Sequence, residues 1–391
     1  MFPLGVDVGR STVAAGVWRD GRAELALRTD RRGIRDVALS LLGSDTPTLI
    51  DGAPHHPADL VADLLRGVLD AAPPPARTAL THPDDWAGHR RDALRDAAGR
   101  AGIADVLLVP AACASALHLA GPLPPGELAV VCHVGGSTAT AAVVRGTGGI
   151  PEPAGPPTGI AAGGRDLDHA LHLYVETVAG ADGSPSPGPE TRAARLALRR
   201  LVTAAREELT SGARGVVLPV RLPGISRDVE VTPADLAAAA RPLLDALTEA
   251  LAGVLDPAGT APVFLTGGAS RLPALAETLA AALGRTVVPC PVEDTQSAAL
   301  GAARAAHLDS AGSGPGPVWT MPPPFDPPPV LPDPAVVDRE ASGWTAEAGG
   351  GVVVVRTDTD PGGTRGRWPA LAVVCAVIAV LAVVLAVALG R

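Results

Sequence analysis

Two short stretches of the sequence pair a glycine with Ser-Thr and are candidates for binding phosphate. DVGRSTVAAGVW (residues 7–18) recurs as HVGGSTATAAVV (residues 133–144). When the two stretches are aligned at a constant offset, the same residue recurs at these positions, the last pair lying just after each stretch: Val8/Val134, Gly9/Gly135, Ser11/Ser137, Thr12/Thr138, Ala15/Ala141, Val17/Val143 and Arg19/Arg145. A glycine turn between two strands presents backbone N–H groups and hydroxyls to one concavity, a common anion site. The repeat therefore predicts two lobes that clamp a phosphate-bearing ligand.

A third glycine site lies in PVFLTGGASRLPALAETLAAALG (residues 262–284), which has the pattern of a strand, a double glycine and a helix. Gly267 and Gly268 would let the backbone approach a ligand closely. We expect Ser270 to open the helix, whose N-terminus would add partial positive charge. This segment also favours an anionic ligand.

The elements that must position these turns alternate along residues 1–309. Short apolar strands interleave with Ala/Leu-rich helices, which predicts an α/β fold with helix-covered sheets, and the repeated hairpin predicts two related lobes. We expect the helices to begin near Pro57, Ala87, Arg192, Thr232, Leu272 and Thr295. The start signal is plainest in VTPADLAAAARPLLDALTEALAGVL, with Thr232 as N-cap, Pro233 in the first helical position and Asp235 in the first turn.

Composition excludes some functions. The chain has 391 residues and a net charge of −9, with no lysine and no dense basic patch, so we expect no nucleic-acid partner. Aromatic residues are only 2% of the chain, so its core must be built from Ala, Val and Leu. Four scattered cysteines indicate buried reduced thiols rather than a zinc site or a disulfide framework: Cys113, Cys132, Cys290 and Cys375.

The C-terminal part predicts a membrane anchor. Residues 310–367 are rich in Pro and Gly and are typical of a semi-rigid linker, with docking to an aromatic-grooved domain as the less common use. Residues 370–389 carry no charge and are long enough to cross about 30 Å of hydrocarbon. We therefore expect a nucleotide-binding domain at 1–309, the linker, and a single-pass tail anchor at 368–391 in the cell membrane.

Charge around the predicted span indicates its orientation. Most arginines near the apolar stretch precede it, which places the large domain in the cytoplasm by the positive-inside rule: Arg356, Arg365 and Arg367 before it, Arg391 after it. The expected partners are then the lipid bilayer and an unidentified membrane-associated protein.

The order of GVDVGRST, ALTHPDDWAGHRRDALRDAAGRAGI, HVGGSTATAAVV, AGGRDLDHAL, AAREELTSGA, FLTGGASRLP and DTQSAALGAARAA resembles the ATPase domain of the seventy-kilodalton heat-shock proteins, in the actin and sugar-kinase superfamily. The resemblance implies a two-lobed, duplicated fold that binds ATP or ADP, with magnesium as a candidate accompanying ion. It implies phosphate loops and nucleoside contacts at Gly9, Arg10, Ser11, Thr12, Gly135, Gly136, Ser137, Thr138, Gly163, Gly164, Arg206, Thr210, Gly267, Gly268, Ser270 and Arg271.

The chain departs from that family where catalysis is concerned. The family has an aspartate before the second loop, where this chain has His133, and magnesium prefers oxygen ligands. The family's Asn-Glu-Pro-Thr reads Pro-Ala-Ala-Cys at residues 110–113, and its cleft lysine has no counterpart. The candidate catalytic residues are Asp7, also the indirect magnesium ligand, and His133, for which a structural role and a general-base role are both open.

Because positioning groups supply most of the catalysis of phosphoryl transfer, these losses predict nucleotide binding with slow or absent hydrolysis. The favoured function is a membrane-tethered, chaperone-like or regulatory nucleotide switch without the family's peptide-binding domain. The alternative is a nucleotide-independent pseudo-ATPase scaffold at the membrane, and a small-molecule kinase is a distant third.

Overall fold

A computed structural model describes residues 1–9, 12–29, 34–50, 53–181, 188–272, 275–291, 296–312, 346–349 and 352–355. The chain divides into two compact units. The first comprises Met1–Thr29, Ala71–Trp86 and Asp105–Trp319. The second comprises Asp30–Asp70, Ala87–Ala104 and Thr320–Arg391.

Strands and helices alternate along the described residues, as the sequence predicts. The strands are β1 (Phe2–Val8), β2 (Val13–Arg19), β3 (Arg22–Thr29), β4 (Thr48–Ile50), β5 (Ala53–His55), β6 (Pro75–His82), β7 (Val106–Pro110), β8 (Leu128–Val134), β9 (Ala139–Arg145), β10 (Glu152–Pro153), β11 (Thr158–Ile160), β12 (Val216–Leu222), β13 (Ile225–Val231), β14 (Val263–Thr266), β15 (Val287–Pro289), β16 (Ala346–Gly349) and β17 (Val352–Val355). The α-helices are α1 (Ile34–Leu41), α2 (Pro57–Ala71), α3 (Gly88–Arg100), α4 (Ala111–Leu119), α5 (Gly164–Ala179), α6 (Pro189–Thr210), α7 (Pro233–Ala239), α8 (Arg241–Ala258), α9 (Leu275–Leu283) and α10 (Ser297–Ser310).

The first unit contains two sheets of the same design. One has the strand order β3-β2-β1-β6-β7 and the other β10-β9-β8-β14-β15, with β11 also paired to β9. In each, the repeated hairpin is antiparallel and two further strands run parallel to its first strand. Asp7 pairs with Ala14 in the first hairpin, and His133 pairs with Thr140 in the second. The predicted α/β class is confirmed, and the sequence repeat corresponds to a repeat of topology.

Small residues let two helices of this unit touch through their backbones. A Cβ added at Gly301 of α10 would lie 1.7 Å from the carbonyl oxygen of Ala114 in α4. These helices share a buried cluster with both sheets, represented by Ala79 of β6 and Val131 of β8. An alanine-rich core, expected from the scarcity of aromatic residues, allows this close approach because alanine adds only one methyl group.

The other face of the second sheet packs against α5, α6, α8 and the β12–β13 hairpin, largely through Leu and Val. Thr232 caps α7, accepting a hydrogen bond from the Asp235 N–H at 3.3 Å. The predicted helix start at Thr232 is confirmed, and the chain then forms α7 and α8, with Ala240 between them. Pro242 explains the break, since it has no N–H and its ring clashes with the carbonyl four residues earlier.

The second unit contains α1, α2 and α3 and a sheet of order β16-β17-β4-β5. Arg90 of α3 donates hydrogen bonds to the carbonyls of Leu39 at 2.6 Å and Leu42 at 3.2 Å, which ties α3 to α1. Within the predicted linker, the structure describes residues 310–312, where α10 ends, and the antiparallel pair β16 and β17, of which β17 runs parallel to β4.

The predicted tail anchor, residues 370–389, lies outside the described residues. Of the helices that the structure describes, none combines the length and apolar character needed to cross a membrane.

Candidate functional site

The two repeated hairpins close with the same backbone hydrogen bond. Gly9 N–H donates to the carbonyl of Thr12 at 2.9 Å, and Gly135 N–H donates to the carbonyl of Thr138 at 3.0 Å. Arg10 and Ser11, predicted for the first phosphate loop, lie outside the described residues. We call residues 135–138 loop 2. Both turns follow the carboxyl end of a strand that has a parallel neighbour, which is where open α/β sheets bind ligands.

A threonine on the neighbouring parallel strand bonds to the residue that precedes each turn. Thr81 of β6 donates from its hydroxyl to Oδ1 of Asp7, and Thr266 of β14 lies with Oγ1 3.1 Å from Nδ1 of His133. The two pairs occupy corresponding places in the two sheets. His133 therefore takes the position in the second sheet that Asp7 has in the first, with the same kind of partner.

Asp7 and His133 interact electrostatically, and burial acts on both. Burial raises the pKa of Asp7, while the Thr81 hydrogen bond and His133 oppose that rise. Burial lowers the pKa of His133, and the Asp7 carboxylate opposes this. Both shifts favour the uncharged form, because desolvation disfavours charge. The imidazole is thus held closer to neutrality than a solvated histidine.

The prediction from sequence did not include Asp84, another carboxyl group near Asp7. Burial raises its pKa to about 7, and the charges of Asp85 and Asp7 add to the rise. Its Oδ1 accepts a hydrogen bond from the N–H of Ala112, at 2.9 Å, in the first turn of α4. Two consecutive aspartates between a buried strand and a helix were the available signal.

Loop 2 is held in place by the N-terminus of α5. The N–H groups of Gly164 and Arg165 donate to the carbonyls of Gly135 and Gly136 at 2.9 and 2.7 Å. A Cβ added at Gly163 would lie 2.8 Å from the carbonyl oxygen of Gly135. Gly163 and Gly164, predicted as nucleotide contacts, thus lie directly against loop 2 and support it.

The imidazole of His133 fits between two glycines. A Cβ at Gly135 would be 3.3 Å from Nε2, and one at Gly267 would be 3.0 Å from Cε1. On loop 2, the hydroxyl oxygen of Ser137 is buried and has no hydrogen-bond partner among the described residues. A buried hydroxyl without a partner is unfavourable unless something else bonds to it. Loop 2 therefore offers a ligand a hydroxyl and a nearby imidazole.

The third glycine site forms a tight turn. Gly267 has φ +88°, and a Cβ there would lie 2.5 Å from the carbonyl oxygen of Val134, so only glycine fits. Ser270 donates from its hydroxyl to the Gly267 carbonyl at 2.6 Å and closes a 3₁₀ turn. The prediction that Ser270 opens a helix was wrong, since α9 begins at Leu275.

Other predicted nucleoside contacts have different surroundings. A Cβ at Gly268 would meet open space, and Nε of Arg271 is buried without a partner among the described residues. Arg206 is only 8% exposed and forms an ion pair with Asp168, which ties α6 to α5. Thr210 donates from its hydroxyl to a carbonyl of its own helix, that of Glu207, at 2.9 Å. Contact of these residues with a nucleoside stays a prediction.

The described cysteines are buried, as predicted: Cys113, Cys132 and Cys290. Burial raises the pKa of Cys132 to about 12 and that of Cys113 well above its usual value, so both remain protonated. Cys375 lies outside the described residues.

Two sheets of the same strand order, each bearing a glycine-turn hairpin, are consistent with the actin-like ATPase class. The chain belongs to the Hsp70 family: the family model described as "Hsp70 protein" matches residues 76–314. The first hairpin precedes the matched segment.

The chain is similar to curated proteins named "Chaperone protein HscA homolog". It is 30% identical over 233 residues to that of Methylibium petroleiphilum (58% of this chain, 36% of that protein). It is 29% identical over 247 residues to that of Bordetella pertussis (62% and 39%) and 27% identical over 295 residues to that of Chromobacterium violaceum (71% and 46%). The chain thus spans less than half the length of these relatives.

Hsp70-family ATPases bind ATP or ADP with magnesium. The residues present fit the nucleotide, because Ser137 of loop 2 and Arg271 each carry a buried polar atom with no hydrogen-bond partner in the part of the chain that the structure describes. They fit magnesium less well. The part of the chain that the structure describes contains no group of three His, Cys, Asp or Glu side chains that could hold a metal ion. The residue before the second turn, His133, carries an imidazole, whereas Mg²⁺ prefers oxygen ligands.

Proposed function

We propose that this protein is an Hsp70-type nucleotide switch that binds ATP or ADP through its two hairpin turns and hydrolyses ATP slowly or not at all. One observation carries the proposal: both sheets keep the same closed glycine turn, while the residue before the second turn is His133 in place of a carboxylate.

Retained binding rests on the backbone. The two turns, the support of loop 2 by α5 and the Gly267 turn all depend on glycines and main-chain hydrogen bonds. Such preorganised N–H groups suit phosphate, because their positions do not change when the ligand arrives. Ser137 adds a side-chain donor to the same loop.

Slow hydrolysis rests on the missing positioning groups. The sequence contains no lysine, and α4 begins with Ala111 and Ala112, whose methyl groups cannot orient water. One oxygen of the nearby Asp84 carboxyl, Oδ1, accepts a hydrogen bond from the Ala112 N–H. Since phosphoryl transfer depends mostly on positioning and charge, turnover should fall by orders of magnitude.

The setting of the switch is part of the proposal. The uncharged stretch at residues 370–389 supports a membrane tether with the nucleotide-binding domain on the cytoplasmic side. A membrane-associated protein would then read whether nucleotide is bound. The names of the curated relatives support a chaperone-linked role.

Calorimetric titration of the full-length chain, kept in mild detergent because of its apolar stretch, tests the proposal. ATP and ADP should bind with dissociation constants between about 1 μM and 1 mM, and AMP should bind much more weakly because it lacks the outer phosphates. Phosphate release should stay well below about one per second. Faster turnover would contradict the proposed loss of catalysis. No heat and no thermal stabilisation at millimolar ATP would indicate a nucleotide-independent scaffold.

A further inference from the structure

We propose that loop 2 binds the phosphates of an unchelated nucleoside di- or triphosphate directly, through Nε2 of His133 and the hydroxyl of Ser137, so that binding does not require magnesium. The inference rests on the proposed nucleotide binding and specifies the chemical form of the ligand.

The orientation of the imidazole is the first step. Nδ1 of His133 lies 3.1 Å from Oγ1 of Thr266, a fully buried residue of β14. The other ring nitrogen, Nε2, lies on the side of loop 2, where it would be 3.3 Å from a Cβ at Gly135. The ring therefore bridges the neighbouring strand and the phosphate loop.

The hydrogen bonds that a phosphate can form determine which nitrogen of the imidazole carries the hydrogen. A phosphate oxygen only accepts hydrogen bonds, so a bound phosphate selects the form with hydrogen on Nε2. The Thr266 hydroxyl can rotate and donate to Nδ1 in the neutral ring. A charged ring donates from both nitrogens. In either state Nε2 can donate to the ligand, which a carboxylate at this position could not do.

The Ser137 hydroxyl supplies an independent donor. Its oxygen is buried and without a partner among the described residues, although it lies in a loop whose carbonyls are tied to α5. A phosphate oxygen would satisfy it. Loop 2 thus carries one buried donor that is unpartnered within the described part of the chain, and the imidazole of His133, near the end of β8, lies beside the loop.

Electrostatic repulsion explains why nucleotide binding would depend on magnesium with a carboxylate at residue 133 and does not with an imidazole. A carboxylate facing a phosphate repels it unless a cation lies between them, so an aspartate at residue 133 would make binding depend on Mg²⁺. An imidazole at residue 133 has no negative charge to repel the phosphate. It also lacks the carboxylate oxygen that would bind the cation. The Asp7 carboxyl remains, with one oxygen engaged by Thr81.

The test is titration of the full-length chain with ATP in excess EDTA and in excess MgCl₂. The wild-type protein should bind in EDTA with an affinity within about threefold of that in magnesium, or higher. His133→Asp should bind about tenfold or more weakly in EDTA and regain affinity with magnesium, while His133→Gln, which keeps an N–H donor, should stay close to wild type.

Ser137→Ala is an independent test in case the His133 variants do not fold, because it removes one oxygen atom without adding charge. It should weaken ATP binding about three- to tenfold in both conditions, whereas the exposed control Ser310→Ala should not. Wild-type binding at least about tenfold weaker in EDTA would overturn this inference and leave nucleotide binding intact. No binding in either condition would overturn both.

Discussion

Replacing Gly163 with alanine tests whether α5 sets the shape of loop 2. The backbone at Gly163 is extended, with φ −164°, so alanine can adopt it and the effect comes from contacts alone. The added Cβ would lie 2.8 Å from the oxygen of Gly135, 2.9 Å from the nitrogen of Thr138 and 3.0 Å from the carbonyl carbon of Gly136.

The magnitude follows from these distances. Comfortable contacts to carbon are about 3.5 Å, so loop 2 must move by roughly 0.5 Å away from α5. The hydrogen bonds from Gly164 and Arg165, now 2.9 and 2.7 Å, would lengthen accordingly. Overpacking of this kind costs about 1–3 kcal/mol. If ATP binding must restore the original loop, affinity falls by about five- to 150-fold.

Calorimetric ATP titration and thermal melting of the same samples measure both effects. Gly159→Ala is the matched control, because it lies four residues away in β11 and its Cβ would meet nothing within 4 Å. A Gly163→Ala protein that melts and binds like the control would refute the contact between α5 and loop 2. Lower melting with unchanged ATP affinity would show that loop 2 does not bind the nucleotide.

Four further variants probe packing and charge. Gly301→Ala should destabilise the protein by about 3 kcal/mol or more, because its Cβ would overlap Ala114. Gly253→Ala, in an open helical position, should stabilise by about 0.5–1 kcal/mol, and urea midpoints distinguish the two. Burial lowers the pKa of His172 to about 4, so the unfolded chain binds its proton more readily. The contribution of His172 to stability should therefore fall by about 3 kcal/mol as pH drops from 6.5 to 4, and the difference in stability between the wild type and His172→Gln should change by that amount in pH-dependent melts. The pKa of Asp84 is raised to about 7 in the folded protein, so its effect on stability has the opposite sign. As pH rises from 4 to 7, this buried carboxyl group lowers the free energy of unfolding. Asp84→Asn should therefore gain about 2–4 kcal/mol at pH 8 and little at pH 4; an equal gain at both would contradict the assigned burial.

Local features of the site could be predicted from sequence, and distant pairings could not. The turns at Gly9 and Gly135 follow from glycine spacing within single hairpins. The bond between His133 and Thr266 joins residues 133 positions apart and depends on strand register, which no local pattern encodes. The sequence interpretation also missed α4, because that helix is buried on nearly all sides and shows no amphipathic periodicity.

The matching threonines beside Asp7 and His133 also bear on how such a protein can evolve. The hydroxyl of Thr266 can donate or accept, so it forms a bond with a histidine as readily as Thr81 does with a carboxylate. Aspartate and histidine codons differ only at their first base. A lineage could thus exchange one for the other in a single step, without first passing through a variant whose buried threonine has lost its neighbour. After duplication, each lobe of such a fold can change its chemistry at this position while its architecture persists.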